Sequence, residues 1–279
     1  MHVVLISIDG LRADAIEAAP APNLLALIRR GSYCAVARTI QPSITLPSHT
    51  SMLTGLDFSR HGVFWNIDHE GSIAHPTAMS EAKKAGYATA MIASKSKFSF
   101  LATPGTCDFT FGFDRDTNAR SRSTAGRIAE LFARVWPGSK FGFTFIHLRE
   151  PDDAGHRHRW MSDTYLAAVR EADSAVGSIV RTLGVDSSFD NDSVILIVTA
   201  DHGGKDTTHV KPIPEIYTIP WICIGPGIPA GRRIKRVIRT YDTMPTVLKL
   251  LGVPIPGGLD GKPVVEVIPE KRSSSSNRP

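Results

Sequence analysis

Three apolar, strand-like runs, each followed within four residues by an aspartate, constrain the fold of this sequence more than any other feature. Continuous runs rich in β-branched and aromatic residues are typical of strands covered on both faces, as in a parallel sheet. Ligands of such sheets collect beyond the carboxyl ends of the strands, where loops are free to carry function. We therefore expect Asp9, Asp152 and Asp201 to converge at one edge of a sheet. They follow the runs Val3–Ile8, Phe141–Leu148 and Val194–Val198.

Helix-like segments separate the apolar runs, and this alternation predicts an α/β fold: a three-layer α/β/α sandwich with a mostly parallel central sheet. Ala88–Ala93 and Trp221–Ile224 are weaker strand candidates. Residues 58–116 lack a clear period apart from one helix, and we predict that they form loops crossing over a cleft. The predicted helices are Asn23–Arg30, Pro47–Thr54, Pro76–Ala85, Thr124–Val135, Ser162–Leu183 and Thr243–Leu251.

Length and composition bound the organisation of the chain. With 279 residues and 42% hydrophobic content, it can bury a full core without requiring a second domain. We predict a single catalytic domain over residues 1–270 and a disordered, serine-rich tail over residues 271–279. No stretch of about 18 uncharged apolar residues occurs, so no membrane span is expected. The N-terminus lacks a signal-peptide pattern, which predicts a cytoplasmic location, although a trimmed exported form would look the same.

Charge and cysteine content limit the classes of binding partner and of metal site that this sequence can have. The net charge of +5 and the pI near 9.2 favour a small anionic substrate. The basic residues are scattered, and their densest group, at residues 232–239, is typical of a solvated surface, so nucleic-acid binding is not expected. The three cysteines are widely spaced and form no Cys-x-x-Cys pair. Their pattern argues against a disulfide framework and against a thiolate zinc site.

The acids and nearby histidines together predict a pair of metal ions. Three carboxylates at one edge of a sheet would repel each other strongly, and bound divalent cations are the simplest remedy. Mixed carboxylate and imidazole ligands suit Zn²⁺, with Mn²⁺ as the alternative, and are poor for calcium. Three protein ligands per ion leave a position open for substrate, and two ions about 4 Å apart can clamp both reacting oxygens of an in-line displacement. The histidines are His156, His202 and His209.

Thr45 is the candidate nucleophile. A free threonine hydroxyl is too basic to attack at neutral pH, so it needs a metal ion or an adjacent base. Pro47 suits the first turn of a helix, which would place Thr45 near the positive end of the helix dipole. That position favours both an alkoxide and a bound phosphate. Asn66 could donate its side-chain amide to a non-bridging phosphoryl oxygen.

Taken in order, these motifs resemble the alkaline phosphatase superfamily, and within it the nucleotide pyrophosphatase/phosphodiesterase (type I phosphodiesterase) branch. The nucleophile motif of that branch is Thr-aromatic-Pro-Asn-His, followed by Thr-Gly and then by His-Gly with an asparagine four residues later. The corresponding residues of this sequence are Thr45–His49, Thr54–Gly55, and His61–Gly62 with Asn66. The resemblance implies an alkaline-phosphatase-like fold. It also implies that one ion, which activates Thr45, is held by Asp9, Asp201 and His202, and its partner ion by Asp152, His156 and His209.

The sequence departs from the pattern of this branch at several places. Nucleotide-cleaving members have one aromatic residue after the nucleophile and another five residues before a ligand aspartate, and the two rings sandwich the base. Here these places hold Leu46 and His147. Because stacking a base requires flat π faces, nucleotide preference stays open. Val210 stands where a glycine often follows the last histidine, and the chain is shorter than typical members.

Each candidate residue also has a plainer interpretation, since caps, turns and surface histidines use the same residue types. Only the joint occurrence in one order favours the metal site. The alternatives are helix caps for Asp9 and Thr45, a turn for Asp201–Gly204, a surface histidine for His209, a loop residue for Asn66, and Asp153 and His158 in place of Asp152 and His156.

The sequence therefore predicts a metal-dependent phosphoric ester hydrolase of the phosphodiesterase or pyrophosphatase type, acting through a phosphothreonine intermediate at Thr45. The alternatives are a phosphomonoesterase, a phosphoryl or phosphoethanolamine transferase, and a non-enzymatic metal- and phosphate-binding module. A sulfatase is disfavoured because Cys34–Arg38 lacks the proline of Cys-x-Pro-x-Arg. Monoester or diester preference depends on whether the second ester substituent meets an apolar shelf or a cation. The cations nearest in sequence are Arg149, Arg157 and Arg159.

Overall fold

The computed structural model describes residues 1–112, 124–137, 141–184 and 193–269. The predicted disordered tail, residues 271–279, lies outside the described residues. Within them, the strands are β1 (His2–Ile8), β2 (Ser32–Arg38), β3 (Ala88–Ile92), β4 (Phe109–Phe111), β5 (Phe141–Leu148), β6 (Val194–Thr199), β7 (Thr218–Ile224) and β8 (Arg232–Arg233).

One mixed sheet joins these strands in the order β4-β3-β5-β1-β6-β7-β2-β8. Strand β7 runs antiparallel to both of its neighbours, whereas every other neighbouring pair is parallel. The prediction of a mostly parallel sheet is therefore confirmed. The three runs that the sequence identified most clearly, β1, β5 and β6, are adjacent at its centre, where both faces are covered.

Helices cover both faces of the sheet. The described helices are α1 (Ala15–Ala18), α2 (Pro22–Arg30), α3 (Thr45–Thr54), α4 (Phe58–His61), α5 (Ala78–Lys84), α6 (Ala125–Val135), α7 (Glu150–His158), α8 (Asp163–Thr182), α9 (Pro214–Tyr217) and α10 (Thr243–Leu251). The long helix α8 packs against α1, α2, α6 and α7, whereas α10 packs against α3 and α5. These two groups are the outer layers of the predicted α/β/α sandwich. None of the described helices has both the length and the apolar character needed to cross a membrane.

The structure also contains elements that the sequence did not predict. Strand β2 was missed because its apolar run, Tyr33–Ala37, includes two alanines, which have a low strand propensity, and only three of its seven residues are buried. Helix α7 was missed because its side chains are mostly polar. Residues 58–116, predicted as loops, also contain β4 and a 3₁₀ helix at Ser96–Leu101. That prediction was incomplete, because this segment supplies β4 and β3, the two strands at one edge of the sheet.

Helix α3 is buried along its whole length although it is rich in hydroxyl groups. Its threonines satisfy their hydroxyls on the helix itself: Thr50 Oγ1 donates to the Leu46 carbonyl and Thr54 Oγ1 to the Thr50 carbonyl, at 2.8 and 2.7 Å. A buried hydroxyl that is hydrogen-bonded avoids the desolvation penalty of an unpaired one. The polar sequence of α3 is therefore compatible with its burial.

Gly10 allows α7 to approach the end of β1. Its φ of +71° lies in the left-handed region, and a Cβ atom at this position would lie 2.8 Å from the Cα of Asp152. The Asp152 amide donates to the Asp9 carbonyl at 3.0 Å across this close approach. A glycine here therefore brings Asp9 and Asp152 side by side.

Candidate metal centre and active site

Four polar side chains follow four neighbouring strands at the same edge of the sheet. The strands β3, β5, β1 and β6 are adjacent and parallel, so their carboxyl ends lie together. Asp152, Asp9 and Asp201 follow β5, β1 and β6, as the sequence predicted. Lys95, which the sequence analysis did not single out, follows β3.

Asp9, Asp201 and His202 form the first group, named here the inner cluster. Each offers one ligand atom, and these atoms lie within 4.8 Å of one another. The Nε2 atom of His202 is 3.4 Å from Asp9 Oδ1 and 3.3 Å from Asp201 Oδ2. All three side chains are fully buried. Oδ1 of Asp201 accepts from the backbone amides of Gly10 and His202, which leaves Oδ2 directed at the cluster.

Asp152, His156 and His209 form the second group, named here the outer cluster. Asp152 and His156 are four residues apart on α7, a spacing that places both on one face of a helix. The His156 Nε2 atom lies 3.3 Å from Asp152 Oδ1 and 3.1 Å from His209 Nε2. The side chain of His156 is 44% exposed, so this cluster opens to solvent. Asp152 Oδ1 also lies 4.0 Å from His202 Nε2, so the two clusters adjoin.

The three histidines share one tautomer. In each ring Nδ1 faces a backbone carbonyl, which can only accept a hydrogen bond, so Nδ1 carries the proton and Nε2 keeps its lone pair. Each Nε2 points into a cluster. This is the arrangement that metal-bound histidines adopt in proteins. The carbonyls are those of Gly203 for His202 at 2.8 Å, Thr207 for His156 at 3.0 Å and Ser43 for His209 at 2.6 Å.

Four buried ligand atoms have no hydrogen-bond partner within the described residues. They converge on the two clusters, and buried polar atoms are normally satisfied. Four such atoms at one place fit divalent cations, because lone pairs that face each other need a positive charge between them. Carboxylate oxygen and imidazole nitrogen together fit Zn²⁺ or Mn²⁺. The four atoms are Asp9 Oδ1, Asp152 Oδ1, Asp201 Oδ2 and His202 Nε2.

Lys95 joins the two clusters. Its Nζ lies 2.5 Å from Asp9 Oδ2 and 2.7 Å from Asp152 Oδ2, so it binds one oxygen of each carboxylate and leaves each Oδ1 for its cluster. Burial acts to lower the pKa of Lys95, but the two carboxylates outweigh it and raise the pKa. Lys95 is therefore a fixed positive charge between the clusters.

The three carboxylates have different pKa values because their surroundings differ. Burial raises the pKa of Asp201 well above its usual value, and the charges of Asp9 and Asp152 raise it further. Burial also acts to raise the pKa of Asp9, but Lys95 and a hydrogen bond from His147 outweigh it, and the pKa of Asp9 falls. The pKa of Asp152 is lowered as well: burial and Asp9 act to raise it, but the charge of Lys95 prevails.

His147 and Leu46, at the two places expected to sandwich a base, are both fully buried. Neither side chain can therefore lie against a base in an open pocket. His147 instead contacts the inner cluster: its Nε2 donates to Asp9 Oδ2 at 3.0 Å, and Ser94 Oγ donates to its Nδ1 at 2.8 Å. These two hydrogen bonds orient the Asp9 carboxylate through the oxygen that does not face the inner cluster. The sequence did not predict them.

Thr45 occupies the first position of α3, with Ile44 as the capping residue, so Thr45 is not the cap itself. His49, one turn further on, links this helix start to the inner cluster. Its Nδ1 donates to the Thr45 carbonyl at 2.8 Å and lies 3.6 Å from Asp201 Oδ2, while Ser7 Oγ lies 2.7 Å from its Nε2. The helix start that carries Thr45 is thereby fixed beside Asp201.

Asn66 lies against the same helix start. Its Oδ1 accepts from the Leu46 amide at 3.0 Å and from Lys97 Nζ at 3.0 Å, and Lys97 also donates to the Asn66 carbonyl at 2.9 Å. Because Oδ1 accepts both bonds, the amide is fixed in one orientation, and no described residue accepts a hydrogen bond from its Nδ2. Burial and the charge of Lys95 lower the pKa of Lys97, whereas Asp9, Asp152 and Asp201 act to raise it.

The alternative residues near the third motif point elsewhere. Asp153 is bound by Arg149 at 2.7 Å and lies 3.7 Å from Arg157, and neither contact involves a cluster. Arg159 pairs with Asp206 at 2.5 Å, at the surface. His158 is exposed. Within the described residues, none of the three arginines near the ligands in sequence contacts a cluster.

Lys95, Lys97 and Ser94 were missed because the strand before them carried a weak signal. Ala88–Ala93 was only a weaker strand candidate, and the polar residues after it were assigned to a loop. The rule that function collects beyond the carboxyl ends of parallel strands would have identified them if that strand had been placed beside β5.

Comparison of the sequence with known proteins identifies a matching family and several relatives. A family model described as type I phosphodiesterase / nucleotide pyrophosphatase matches residues 3–218. The chain is 26% identical over 245 residues to the bis(5'-adenosyl)-triphosphatase enpp4 of Xenopus laevis, covering 81% of this chain and 51% of that protein. It is 26% identical over 221 residues to ectonucleotide pyrophosphatase/phosphodiesterase family member 3 of Rattus norvegicus, covering 74% and 25%. The chain thus spans about half or less of these relatives.

Two solved structures have a similar fold. Murine ectonucleotide pyrophosphatase/phosphodiesterase 5, as an inactive variant in complex with AMP, has a TM-score of 0.75 at 14% identity, covering 92% of this chain and 97% of that chain. The phosphonate monoester hydrolase of Silicibacter pomeroyi has a TM-score of 0.70 at 17% identity, covering 99% and 78%. At such identities the likeness shows the fold, which is alkaline-phosphatase-like.

Proposed function

Because the chain belongs to the type I phosphodiesterase / nucleotide pyrophosphatase family, we propose that it hydrolyses phosphate esters at the two clusters. Asp9, Asp201 and His202 would hold one divalent ion, and Asp152, His156 and His209 the other. Zn²⁺ is the ion that suits these ligands best, with Mn²⁺ as the alternative. When bound, the two ions supply Lewis-acid stabilisation of the attacking and leaving oxygens.

The convergence of four unpartnered, buried ligand atoms carries this proposal. In a purely structural role the same atoms would be expected to hold hydrogen bonds, since an unpaired buried acceptor costs free energy. Lys95 binds Oδ2 of both Asp9 and Asp152, and the proton of His202 is on Nδ1. Each ligand of the inner cluster, and Asp152, therefore keeps one atom without a hydrogen-bond partner among the described residues. The arrangement is thus prepared for cations rather than for a packed core.

Thr45 is proposed as the nucleophile. Its Oγ would attack the phosphorus atom, its proton would pass to the leaving alcohol, and the ester bond to that alcohol would break, leaving the phosphoryl group on Thr45. A water molecule would then attack the same phosphorus, and the bond to Thr45 Oγ would break. This step releases phosphate from a monoester, or a phosphate monoester from a diester, and regenerates the hydroxyl. Asn66 Nδ2 would donate to a non-bridging oxygen, and the positive end of α3 would stabilise the charge on the phosphoryl group.

Replacement of Thr45 tests this mechanism. We expect Thr45→Ala to keep its full metal content, measured by mass spectrometry of the bound metal, and to lose turnover of p-nitrophenyl phosphate and bis-p-nitrophenyl phosphate by on the order of 10³-fold or more. Thr45→Ser, which keeps a hydroxyl, is the matched control and should retain measurable activity. Rapid acid quenching of the parent protein should trap one phosphoryl group on Thr45.

Two results would reject the proposal in different ways. Activity of Thr45→Ala close to that of the parent protein would remove Thr45 as the nucleophile. A parent protein that binds two ions per chain but hydrolyses neither ester would indicate a metal- and phosphate-binding module instead of an enzyme.

A further inference from the structure

Lys97 presents a positive charge beside the proposed phosphoryl site. It lies in the 3₁₀ helix Ser96–Leu101, directly beyond β3, and its side chain is only half-buried. Its Nζ donates to both the carbonyl and the Oδ1 of Asn66. An ammonium group has three N–H donors, so one N–H is left for a further acceptor.

The remaining N–H donors of Asn66 and Lys97 are held close together by the hydrogen bond between the two side chains. Asn66 Oδ1 holds the Leu46 amide, next to Thr45, and the same oxygen holds Lys97. The free Nδ2 of Asn66 and the remaining N–H of Lys97 are therefore anchored on one oxygen at the helix start. A non-bridging phosphoryl oxygen bound by the amide would therefore lie on the same side chain that holds the ammonium.

The charges of the site favour a more negative substrate. Three carboxylates belong to the clusters, and two divalent ions would outweigh them by one unit of charge. Lys95 and Lys97 add two further positive charges, and in the part of the chain that the structure describes Lys95 pairs only with the cluster acids Asp9 and Asp152, while Lys97 binds the uncharged Asn66. A phosphate monoester is a dianion above its second pKa of about 6, whereas the phosphoryl group of a diester carries one negative charge. Charge complementarity thus favours the dianion.

We propose that Lys97 is a specificity-determining residue that selects phosphate monoesters, with a dianionic phosphoryl group, over monoanionic diesters. The proposal rests on the proposed function and refines its substrate class, away from the diester type that the family suggests. The cation that decides the preference comes from the segment after β3, because Arg149 and Arg159 are paired with Asp153 and Asp206.

A matched pair of substrates tests the role of Lys97. p-Nitrophenyl phosphate and methyl p-nitrophenyl phosphate share the leaving group and differ by one methyl group and one charge at pH 8. We expect the parent protein to have the higher kcat/KM for the monoester. In Lys97→Gln the ratio of monoester to diester kcat/KM should fall by about tenfold, because a charge-assisted hydrogen bond to the extra negative charge is lost.

Three further variants separate charge selection from positioning of Asn66. Lys97→Arg keeps the charge and should keep the ratio. Asn66→Ala should lower kcat/KM for both esters, because its amide donates to either. The Asn66 carbonyl still holds Lys97 in this variant, so the ratio should change less than in Lys97→Gln. Lys249→Gln removes an exposed charge on α10 and should leave the ratio unchanged. If Lys97→Gln lowers kcat/KM equally for both esters, Lys97 only positions Asn66 and the proposal is wrong.

Binding gives a readout that does not depend on turnover. In metal-loaded Thr45→Ala, calorimetry should show tighter binding of p-nitrophenyl phosphate than of the methyl diester, and Lys97→Gln in the same background should reduce that difference by about tenfold. An unchanged difference would overturn the role of Lys97. If the parent protein hydrolyses neither ester, the proposed function fails, yet this binding comparison still tests the preference.

Discussion

The inner and outer clusters contain the same types of ligand, but different elements of the fold hold them. All members of the inner cluster are fully buried and follow the central strands β1 and β6. In the outer cluster, two members lie on the polar helix α7, and the side chain of His156 is 44% exposed. His209 comes from the irregular segment between β6 and α9.

This difference indicates an order of metal binding. Ligands at the ends of central strands are held by the core of the sheet, so they need little ordering when an ion binds. A cluster that includes an exposed side chain and an irregular segment has a lower local stability, and the ion has to order it. We therefore expect the ion of the inner cluster to bind more tightly and the ion of the outer cluster to exchange first.

The largest expected effect comes from removing one histidine from each cluster. His202→Ala should lower kcat/KM for p-nitrophenyl phosphate by at least about 10³-fold, because the ion proposed to activate Thr45 would supply several kcal/mol. His156→Ala should cost less, roughly 10- to 100-fold, because two buried ligands would still hold its ion, although more weakly. Metal analysis should find the outer site only partly occupied in His156→Ala and the inner ion retained.

His158→Ala is the matched control, since this exposed histidine lies on the same helix and outside both clusters. Its activity and metal content should equal those of the parent protein. Equal losses in His202→Ala and His156→Ala would contradict the distinction between the two clusters.

A smaller effect is expected from Lys95, which binds one carboxylate of each cluster. Without metal, Lys95→Met leaves the carboxylates without their buried cation, and the free energy of unfolding should fall by about 3 kcal/mol. With both ions bound the fall should be smaller, because the ions neutralise the same carboxylates. Denaturant unfolding with and without a chelator measures both values.

Lys84→Met is the control, because Lys84 forms a surface ion pair with Glu81 and its side chain is 68% exposed. Its loss should cost less than about 1 kcal/mol with or without metal. If Lys95→Met is equally destabilised in both conditions, Lys95 is not the cation that links the clusters.

The smallest effect concerns His61, which lies outside both clusters. Its Nδ1 accepts from the Val63 amide and its Nε2 lies 3.0 Å from Ser51 Oγ of α3, so the folded protein holds it neutral. Burial lowers the pKa of His61 from 6.5 to about 4. Below pH 6.5 the unfolded chain therefore binds a proton that the folded chain does not, and stability is lost as the pH falls towards 4.

The measurement is the denaturation midpoint of metal-saturated protein at pH 7 and pH 5. His61→Gln, which cannot bind a proton, should show a smaller decrease between the two pH values than the parent protein. The same decrease in both proteins would mean that His61 takes up its proton in the folded state as well.

The sequence predicted the central strands well because each is a long apolar run. It predicted α10 at Thr243–Leu251, which is where the structure has it. It also identified Asp9, Asp152 and Asp201 by their place after these strands. Two other elements were missed. Helix α7 is mostly polar, and the apolar run of β2 is weakened by two alanines and by alternating burial.

Several expectations stay predictions. These are the single domain over residues 1–270, the disordered tail, the cytoplasmic location, the identity of the ions, and the catalytic role of each residue. The metal analyses and the Thr45 variants above test the last two.

The sequence by itself determined that three acids stand at the carboxyl ends of apolar strands, because strand polarity and chain order fix which residues follow each run. Only the tertiary structure decided that β3 lies beside β5, since that neighbour relation depends on packing between segments far apart in the chain. This neighbour relation brings Lys95 between Asp9 and Asp152 and places Lys97 against Asn66. The hydrogen bonds that leave each histidine Nε2 free also depend on distant carbonyls, so no local pattern could have predicted them.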